Sequence, residues 1–367
     1  MKNYLAISGL SVAAGLLSAG LAQAEDLSYF EAQIAPYAGK PSFVAPGPSF
    51  DAKSCMADKK VFSIPQSSAN PFTSNIEQAM AGVAEKVGFE FTTWENQGQV
   101  AQWAQGIETA INQGVDLIDL LGGVDPRVLK PQIEAAQKAG IKVVASHNNG
   151  MEQSAEIREI TDSDVPIDYF KAGALLVDHA VVSTEGDLNA LVLISSGPLS
   201  TDSMVSGIKA ELEKCETCKA QFLDYIGTDW ATRITPGVQS ALMSNPDVNY
   251  IIVIYDSMSQ FVLPAVTITG AQDRLNINAF NGTPFVLGMV QKGQVEMDIG
   301  ENLDWIAHSV MDSEMRLLCG EDEIDDPKIP FMMFTEANAM DAGTPPELSK
   351  GYGDAYQAGF DELWQLK

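Results

Sequence analysis

Val61-Phe62-Ser63-Ile64-Pro65-Gln66-Ser67-Ser68-Ala69-Asn70-Pro71-Phe72-Thr73 is the stretch on which the fold turns. Its first five residues have the length and apolar character of a strand, and the next few are small and polar. From Ile76 the apolar residues Met80, Val83 and Val87 recur at helical spacing up to Gly88, where a helix would stop. This strand, loop and helix unit then repeats. Phe89 to Trp94 is the next strand, and Val100, Trp103, Ile107 and Ile111 form the next helical face, stopped by Gly114. Val115 to Leu121 is a buried-type strand, Asp125-Pro126 opens a third helix running to Gly140, and Ile141 to Ala145 closes the set. Asp at the N-cap, Pro in the first turn and Gly past the end are the residues that helix termini select.

Four strands with three intervening helices predict a parallel sheet covered on both faces, with right-handed crossovers. The pattern then restarts, with strands at Ile157 to Thr161, Ala190 to Ser195, Ala220 to Ile226, Tyr250 to Tyr255 and Leu275 to Phe280. Helical segments lie between them, around 167–182, 200–214, 231–244 and 257–268. The expected fold class is therefore α/β, with two doubly wound parallel-sheet lobes. Val295 to Gly300, the helix Trp305 to Leu318 and the strand Ile329 to Phe334 are too few for a third domain and should return to the first two. Residues 25–60, with Pro36, Gly39, Pro41, Pro46, Gly47 and Pro48, read as an extended N-terminal arm.

A chain of 367 residues suits two domains of roughly 100 to 200 residues each. Its 22 Lys+Arg against 49 Asp+Glu give a formal charge of −27, which repels phosphate backbones and anionic lipid. Nucleic acid or a membrane surface held by general electrostatics is thereby disfavoured. Residues 1–24 read as a cleavable secretory signal: Lys2, the apolar run Tyr4 to Leu21, then Ala22-Gln23-Ala24 ahead of Glu25-Asp26. The run holds too many Gly and Ser for a buried helix and lacks the unbroken apolar core of a membrane anchor. Cleavage after Ala24 would remove one charge, Lys2, and leave −28. No Cys follows that site to carry a lipid, and no later stretch is long and apolar enough to span a bilayer, so a soluble protein outside the cytoplasm is expected.

The four cysteines, Cys55, Cys215, Cys218 and Cys319, are an even set in an oxidising compartment, which suggests two disulfides. The closeness of Cys215 and Cys218 favours a local clip and leaves Cys55 for Cys319. A zinc or redox reading of Cys215-Glu216-Thr217-Cys218 lacks a second CxxC or a suitably spaced His.

An open parallel sheet binds ligands at the carboxyl ends of its strands. The residues at those positions are Ser67 to Phe72, His147-Asn148-Asn149, Gly197 to Asp202, Gly227 to Trp230, Tyr255-Asp256-Ser257 and Asn281-Gly282-Thr283. Amides, carboxylates and aromatics dominate, the groups that hydrogen-bond sugar hydroxyls and stack on sugar C–H faces. The same residue types also cap helices and make turns, so their joint placement carries the argument. Chemistry is poorly supplied. Of three histidines, His179 and His308 fall inside predicted helices, and GxSxG, GxxxxGK[ST], HExxH and a Rossmann GxGxxG are absent. No cofactor or metal is expected. Asp202 with Glu301 could act as a glycosidic carboxylate pair, but nothing in the sequence sets the separation of roughly 5 to 10 Å such a pair needs.

In order and spacing the motifs resemble the periplasmic sugar-binding proteins of ABC transporters, of the type I ribose/galactose-binding fold, over about residues 60–335. The markers are Val61 to Phe72 with Asn70-Pro71-Phe72, Gln113-Gly114-Val115-Asp116, the Gly140 to Val144 run into His147, Tyr255-Asp256-Ser257-Met258 and Phe280 to Pro284. The resemblance implies two lobes joined by a three-strand hinge, the first from 61–159 plus 302–327 and the second from 160–301 plus 328–367, with Cys55 and Cys319 in one lobe. It also implies a pocket of Asn70, Phe72, Thr73, His147 and Asn148 from the first lobe, Asp202, Trp230, Tyr255 and Asn281 from the second, and Glu301 from a crossing segment. Where ribose-type pockets have Asp-Arg and a second Arg, this chain has His147-Asn148 and Asp202. Tyr255 stands where the family often has Asn, and Asn281 at the usual Asp. Lacking an arginine fork, such a pocket suits a neutral sugar or polyol, or an amine-bearing ligand, between Phe72 and Trp230. The implied protein is a monomeric, non-enzymatic receptor that serves an ABC permease from the periplasm. A sensor partnered with a chemoreceptor or sensor kinase, and a glycosidase-like enzyme using Asp202 and Glu301, are the alternatives. A repressor of the same fold would need a basic DNA-binding domain where the signal and the Pro-rich arm stand.

Overall fold

The computed structural model describes residues 27–366, so the signal sequence read at 1–24 lies outside the described residues. The arm is only partly extended: it carries helix α1 (27–34) and the short α2 (Ala52–Cys55). The first sheet contains β1 (Lys60–Pro65), β2 (Glu90–Thr93), β3 (Leu117–Leu121), β4 (Lys142–Gly150) and β5 (Ser163–Ile167), in the order β2-β1-β3-β4-β5 and parallel throughout. Its helices are α3 (Pro71–Val87), α4 (Val100–Gln113), α5 (Lys130–Lys138) and the short α6 (Ser154–Arg158). The second sheet, β6 (Asn189–Ile194), β7 (Lys219–Asp224), β8 (Tyr250–Val253), β9 (Asn276–Asn281), β10 (Met297–Glu301) and β11 (Phe331–Thr335), has the order β11-β10-β9-β8-β6-β7. Only its β10–β11 pairing is antiparallel. Around it lie α7 (Tyr169–Ser183), α8 (Leu199–Leu212), α9 (Trp230–Ser244), α10 (Ser259–Ile268) and α11 (Pro284–Val290). Two further helices, α12 (Leu303–Cys319) and α13 (Ala355–Leu363), complete the chain.

Both sheets are wound alike, so each has a switch point where crossovers depart in opposite directions: β1/β3 in one lobe and β6/β8 in the other. Strand alternation places the core. Leu117 and Leu121 of β3 pack with Ile76, Met80 and Val83 of α3 and Ile306 and Val310 of α12. Ile118 and Leu120 face Trp103, Ile107 and Ile133 on the other side. In the second lobe α7 and α8 meet backbone to backbone. A Cβ on Gly207 would lie 1.9 Å from the Phe170 carbonyl oxygen, and one on Gly173 would lie 2.1 Å from that of Met204. This contact seats the N-terminus of α8 at the cleft.

Three expectations need correction. Ile157 to Thr161 is not a strand: Ile157 belongs to α6, and the strand is β5, with Pro166 inside it. Proline lacks the N–H a central strand must donate, but β5 is an edge strand and tolerates it. Residues 163–167 therefore belong to the first sheet, not to the second lobe. The C-terminal segment also returns to the first lobe, where Tyr356, Phe360, Leu363 and Trp364 enter the core around α12. The arm crosses too. Phe30 is buried among second-lobe residues, while Phe43 packs on Trp305 and Phe360, and Phe50 lies in the first-lobe core. Burying a large apolar side chain contributes roughly 1.5 to 3 kcal/mol, which is why these aromatics hold the two terminal segments in place.

The four cysteines form two pairs, Cys55 with Cys319 (Cα–Cα 5.6 Å) and Cys215 with Cys218 (Cα–Cα 5.3 Å). The first joins α2 to the end of α12. No helix among the described residues is long and apolar enough to cross a membrane.

Candidate functional site

The lobes meet at the carboxyl ends of their strands. Gln153 Nε2 of the first lobe donates to the Leu199 carbonyl of the second at 3.3 Å, and a Cβ on Gly150 would come within 2.3 Å of Ser203 Oγ on α8. Ala145, Ile157 and Leu199 form a small apolar cluster across the junction.

In the first lobe, three of the expected residues turn their polar groups onto their own backbone. Asn70 is the N-cap of α3 and accepts from Phe72 N at 3.0 Å. Buried Thr73 donates to the Ser67 carbonyl at 2.8 Å, shaping the same loop. Asn148, also buried, donates to the Leu120 carbonyl at 2.8 Å and accepts from Gly123 N, so it ties the loop after β3 to β4. Phe72 is half-buried, with its ring centroid 5.0 Å from that of His147.

His147 is the centre of the floor. Its Nε2 lies 2.9 Å from Glu301 Oε2, and its Nδ1 lies 2.7 Å from the hydroxyl of Tyr169. Asn281 Nδ2 donates to the other Glu301 oxygen, Oε1, at 3.1 Å. Glu301 is 1% exposed and has both oxygens engaged, one by each lobe. His147 (φ 54°) and Asn281 (φ 142°) both hold backbone conformations that L-residues seldom adopt, and strain of this kind gathers at functional positions.

The second-lobe wall is built from side chains that bond to each other. The Tyr255 hydroxyl sits 2.7 Å from Ser200 Oγ and 2.9 Å from Thr201 Oγ1, both in the first turn of α8. Its ring stacks on Trp230 at 6.3 Å, and Trp230 Nε1 donates to Ser195 Oγ (3.2 Å) and to the Tyr225 carbonyl (3.1 Å). Asp202 is exposed on the next position of α8. Burial raises the Tyr255 hydroxyl above its ordinary pKa. The bonds to Ser200 and Thr201 oppose this, while the charges of Asp202 and Glu301 add to it.

The pocket implied by the resemblance left out Ser200, Thr201 and Asp256, although all three stand at the strand ends singled out in the sequence, and Tyr169 was not singled out at all. Asp256 accepts from Thr283 N at 2.7 Å and from Thr283 Oγ1 at 2.5 Å, which fastens the loop after β8 to the loop after β9. Burial lifts its carboxyl to about 6 against those hydrogen bonds. Neighbouring Asp298 is pushed well above the carboxylate range by burial and then by the charge of Asp256. Asp256 was visible as the polar residue following Tyr255 at a strand end. Tyr169 carried only one weak signal, its place directly after the N-cap Asp168 of a helix.

Anion recognition has no arginine to use. Arg127, Arg158, Arg233 and Arg316 are ion-paired with Asp125, Asp164, Asp229 and Asp312, and Arg274 bonds to the Val248 carbonyl. Among the described residues, no group of three or more His, Cys, Asp or Glu is arranged to hold a metal ion. An open groove of about 740 Å³ is lined by Lys40, Asn75, Gln78, Asp304, Lys350 and Tyr356 among others, and none of the ten expected residues borders it.

The chain belongs to the periplasmic binding protein domain family, whose model matches residues 61–322. Its fold is that of the type I proteins of this kind, as the sequence led us to expect. A glucose-galactose binding protein from Geobacillus stearothermophilus is similar in structure, with a TM-score of 0.67 and 14% identity over 77% of this chain and 98% of that one. A solute-binding protein of an ABC transporter from Actinobacillus succinogenes with bound D-allose gives 0.68 and 16% over 77% and 99%. The myo-inositol binding protein of Caulobacter, bound to myo-inositol, gives 0.67 and 16% over 79% and 97%. At these identities the likeness is one of fold. No curated protein sequence matches the chain.

Proposed function

We propose that the protein is a periplasmic receptor that captures a small neutral sugar or polyol between its lobes and delivers it to an ABC permease, without chemical change to the ligand. The observation that carries this reading is Glu301: a buried carboxylate at the strand ends whose two oxygens are taken by His147 from one lobe and Asn281 from the other. A carboxylate so engaged is badly placed as a nucleophile or general base, and it has little left for a ligand ammonium, which narrows the ligand to neutral hydroxylated molecules. The hydroxyls of Ser200 and Thr201 with Tyr255, and the stacked rings of Tyr255 and Trp230, supply hydrogen bonding and an aromatic face on the opposite wall. The lack of a free arginine argues against sugar acids and sugar phosphates. Closure is a hinge motion in which the ligand favours the state where both lobes touch it. A thermal-shift screen over aldohexoses, inositols and their acidic and phosphorylated analogues tests the proposal. Neutral members should raise the melting temperature by mass action. Stabilisation by the acidic or phosphorylated members alone would overturn it.

A further inference from the structure

The cleft floor holds a chain of four side chains, Tyr169, His147, Glu301 and Asn281, of which the first three are buried and the last half-buried. Tyr169 is 2% exposed and His147 5%. Tyr169 begins α7, the first element after the chain leaves β5 of the first sheet, and Glu301 ends β10, just before α12 returns to the first lobe. His147 therefore bridges the two segments where the backbone passes between lobes. The Tyr169 hydroxyl stays protonated, since burial and then the charge of Glu301 hold it well above the ordinary phenol range. Its proton needs an acceptor, and His147 Nδ1 at 2.7 Å is better placed than the His147 carbonyl at 3.4 Å. A ring that accepts at Nδ1 carries its hydrogen at Nε2, where Glu301 Oε2 waits 2.9 Å away. The ring has little freedom to turn, with the Phe72 centroid 5.0 Å and the Tyr169 centroid 5.6 Å from its own.

We infer that Tyr169 is a positioning residue for ligand selectivity: by occupying His147 Nδ1 it fixes the Nε2–H tautomer, which keeps Glu301 engaged within the protein and so excludes amine-bearing ligands in favour of neutral ones. The selectivity half of this inference rests on the proposed sugar-binding function, while the tautomer half stands on the protein alone. Tyr169→Phe removes one hydroxyl and keeps the ring. With Nδ1 no longer committed, the imidazole can exchange tautomers or swing away, and the Glu301 carboxylate becomes available to an ammonium group.

Two measurements test the inference. In ¹⁵N-labelled wild-type protein the His147 signal, assigned by its loss in His147→Gln, should report the Nε2–H tautomer, and in Tyr169→Phe a mixture or the other tautomer. A wild-type ring found as Nδ1–H or as imidazolium overturns the inference, and this reading needs no ligand. By calorimetry, the ratio of dissociation constants for D-glucosamine over D-glucose, and for D-galactosamine over D-galactose, should fall about tenfold in Tyr169→Phe, the size of one hydrogen bond to a charged group. An unchanged ratio, with both ligands weakened equally, would assign Tyr169 a purely structural role. If the wild type binds no member of the panel, the proposed function fails on these sugars and the tautomer result alone decides the positioning role.

Discussion

The two lobes share one winding order and nevertheless differ in how the side chains at their strand ends bond. In the first lobe Asn70 and Thr73 bond to backbone of their own loop, and Asn148 to backbone at the end of β3 and just after it. In the second, Thr201 and Trp230 also hold backbone carbonyls, but Ser200, Thr201, Tyr255 and Trp230 in addition bond to or stack on one another as side chains. One set shapes loops and the other forms a wall. Polar residues at topologically equivalent positions thus divide between building the site and presenting it, and residue type alone does not say which.

The largest expected effect concerns pH and bears on what lies beneath each wall. Burial lifts Glu77 to about 8 and Asp119 to about 7 in the first lobe, and Asp178 to about 8 and Asp256 to about 6 in the second. In the folded protein these carboxyls hold protons that the unfolded chain releases above pH ~4, so stability is greatest in mild acid. Their contribution is fully present below pH ~4 and is lost as pH rises from there through 6 to 8, by about 1.4 kcal/mol per pH unit for each group still protonated in the folded protein. The melting temperature should be higher at pH 5.5 than at pH 8.5, and Glu77→Gln should shrink the difference. An equal or reversed order would show that these carboxyls are ionised in the folded state.

Next in size is Asn148→Ala, which strips partners from Gly123 N and the Leu120 carbonyl. It should cost about 2 to 3 kcal/mol in urea unfolding. Loss of sugar affinity with no loss of stability would break the contrast between the lobes. Tyr255→Phe is expected to do the reverse, weakening ligand binding about tenfold in calorimetry while stability changes by roughly 1 kcal/mol. Asp202→Asn should have the smallest effect, within about threefold in affinity, because an exposed charge in water contributes little to holding a neutral ligand. A much larger loss would make Asp202 a direct ligand contact and the second wall more charged than it is drawn here.

Much of this molecule is legible in the sequence, because strand and helix periods, Gly stops and Pro-containing caps act locally. The run Val61 to Val87 folds as its spacing predicts, and so do the strands and helices that follow it up to β4. Three features depended on tertiary context. The strand at Ser163–Ile167 contains Pro166, which is tolerated because β5 falls at a sheet edge. The aromatics of the two terminal segments, Phe43, Phe50, Phe360 and Trp364, meet one another in the first-lobe core from opposite ends of the chain. The bond between Glu301 and His147 joins residues 154 positions apart, a relation that no local pattern encodes.

The crossing of the terminal segments also bears on the order in which the protein acquires its structure. Phe50 N bonds to the Leu363 carbonyl, Ala52 N to that of Trp364, and Trp364 Nε1 to Asp312. The lobe that contains the earliest strands is thus closed by the last dozen described residues. A ribosome would have made nearly the whole chain before that lobe could settle, so its contacts are strongly non-local and its folding correspondingly slow.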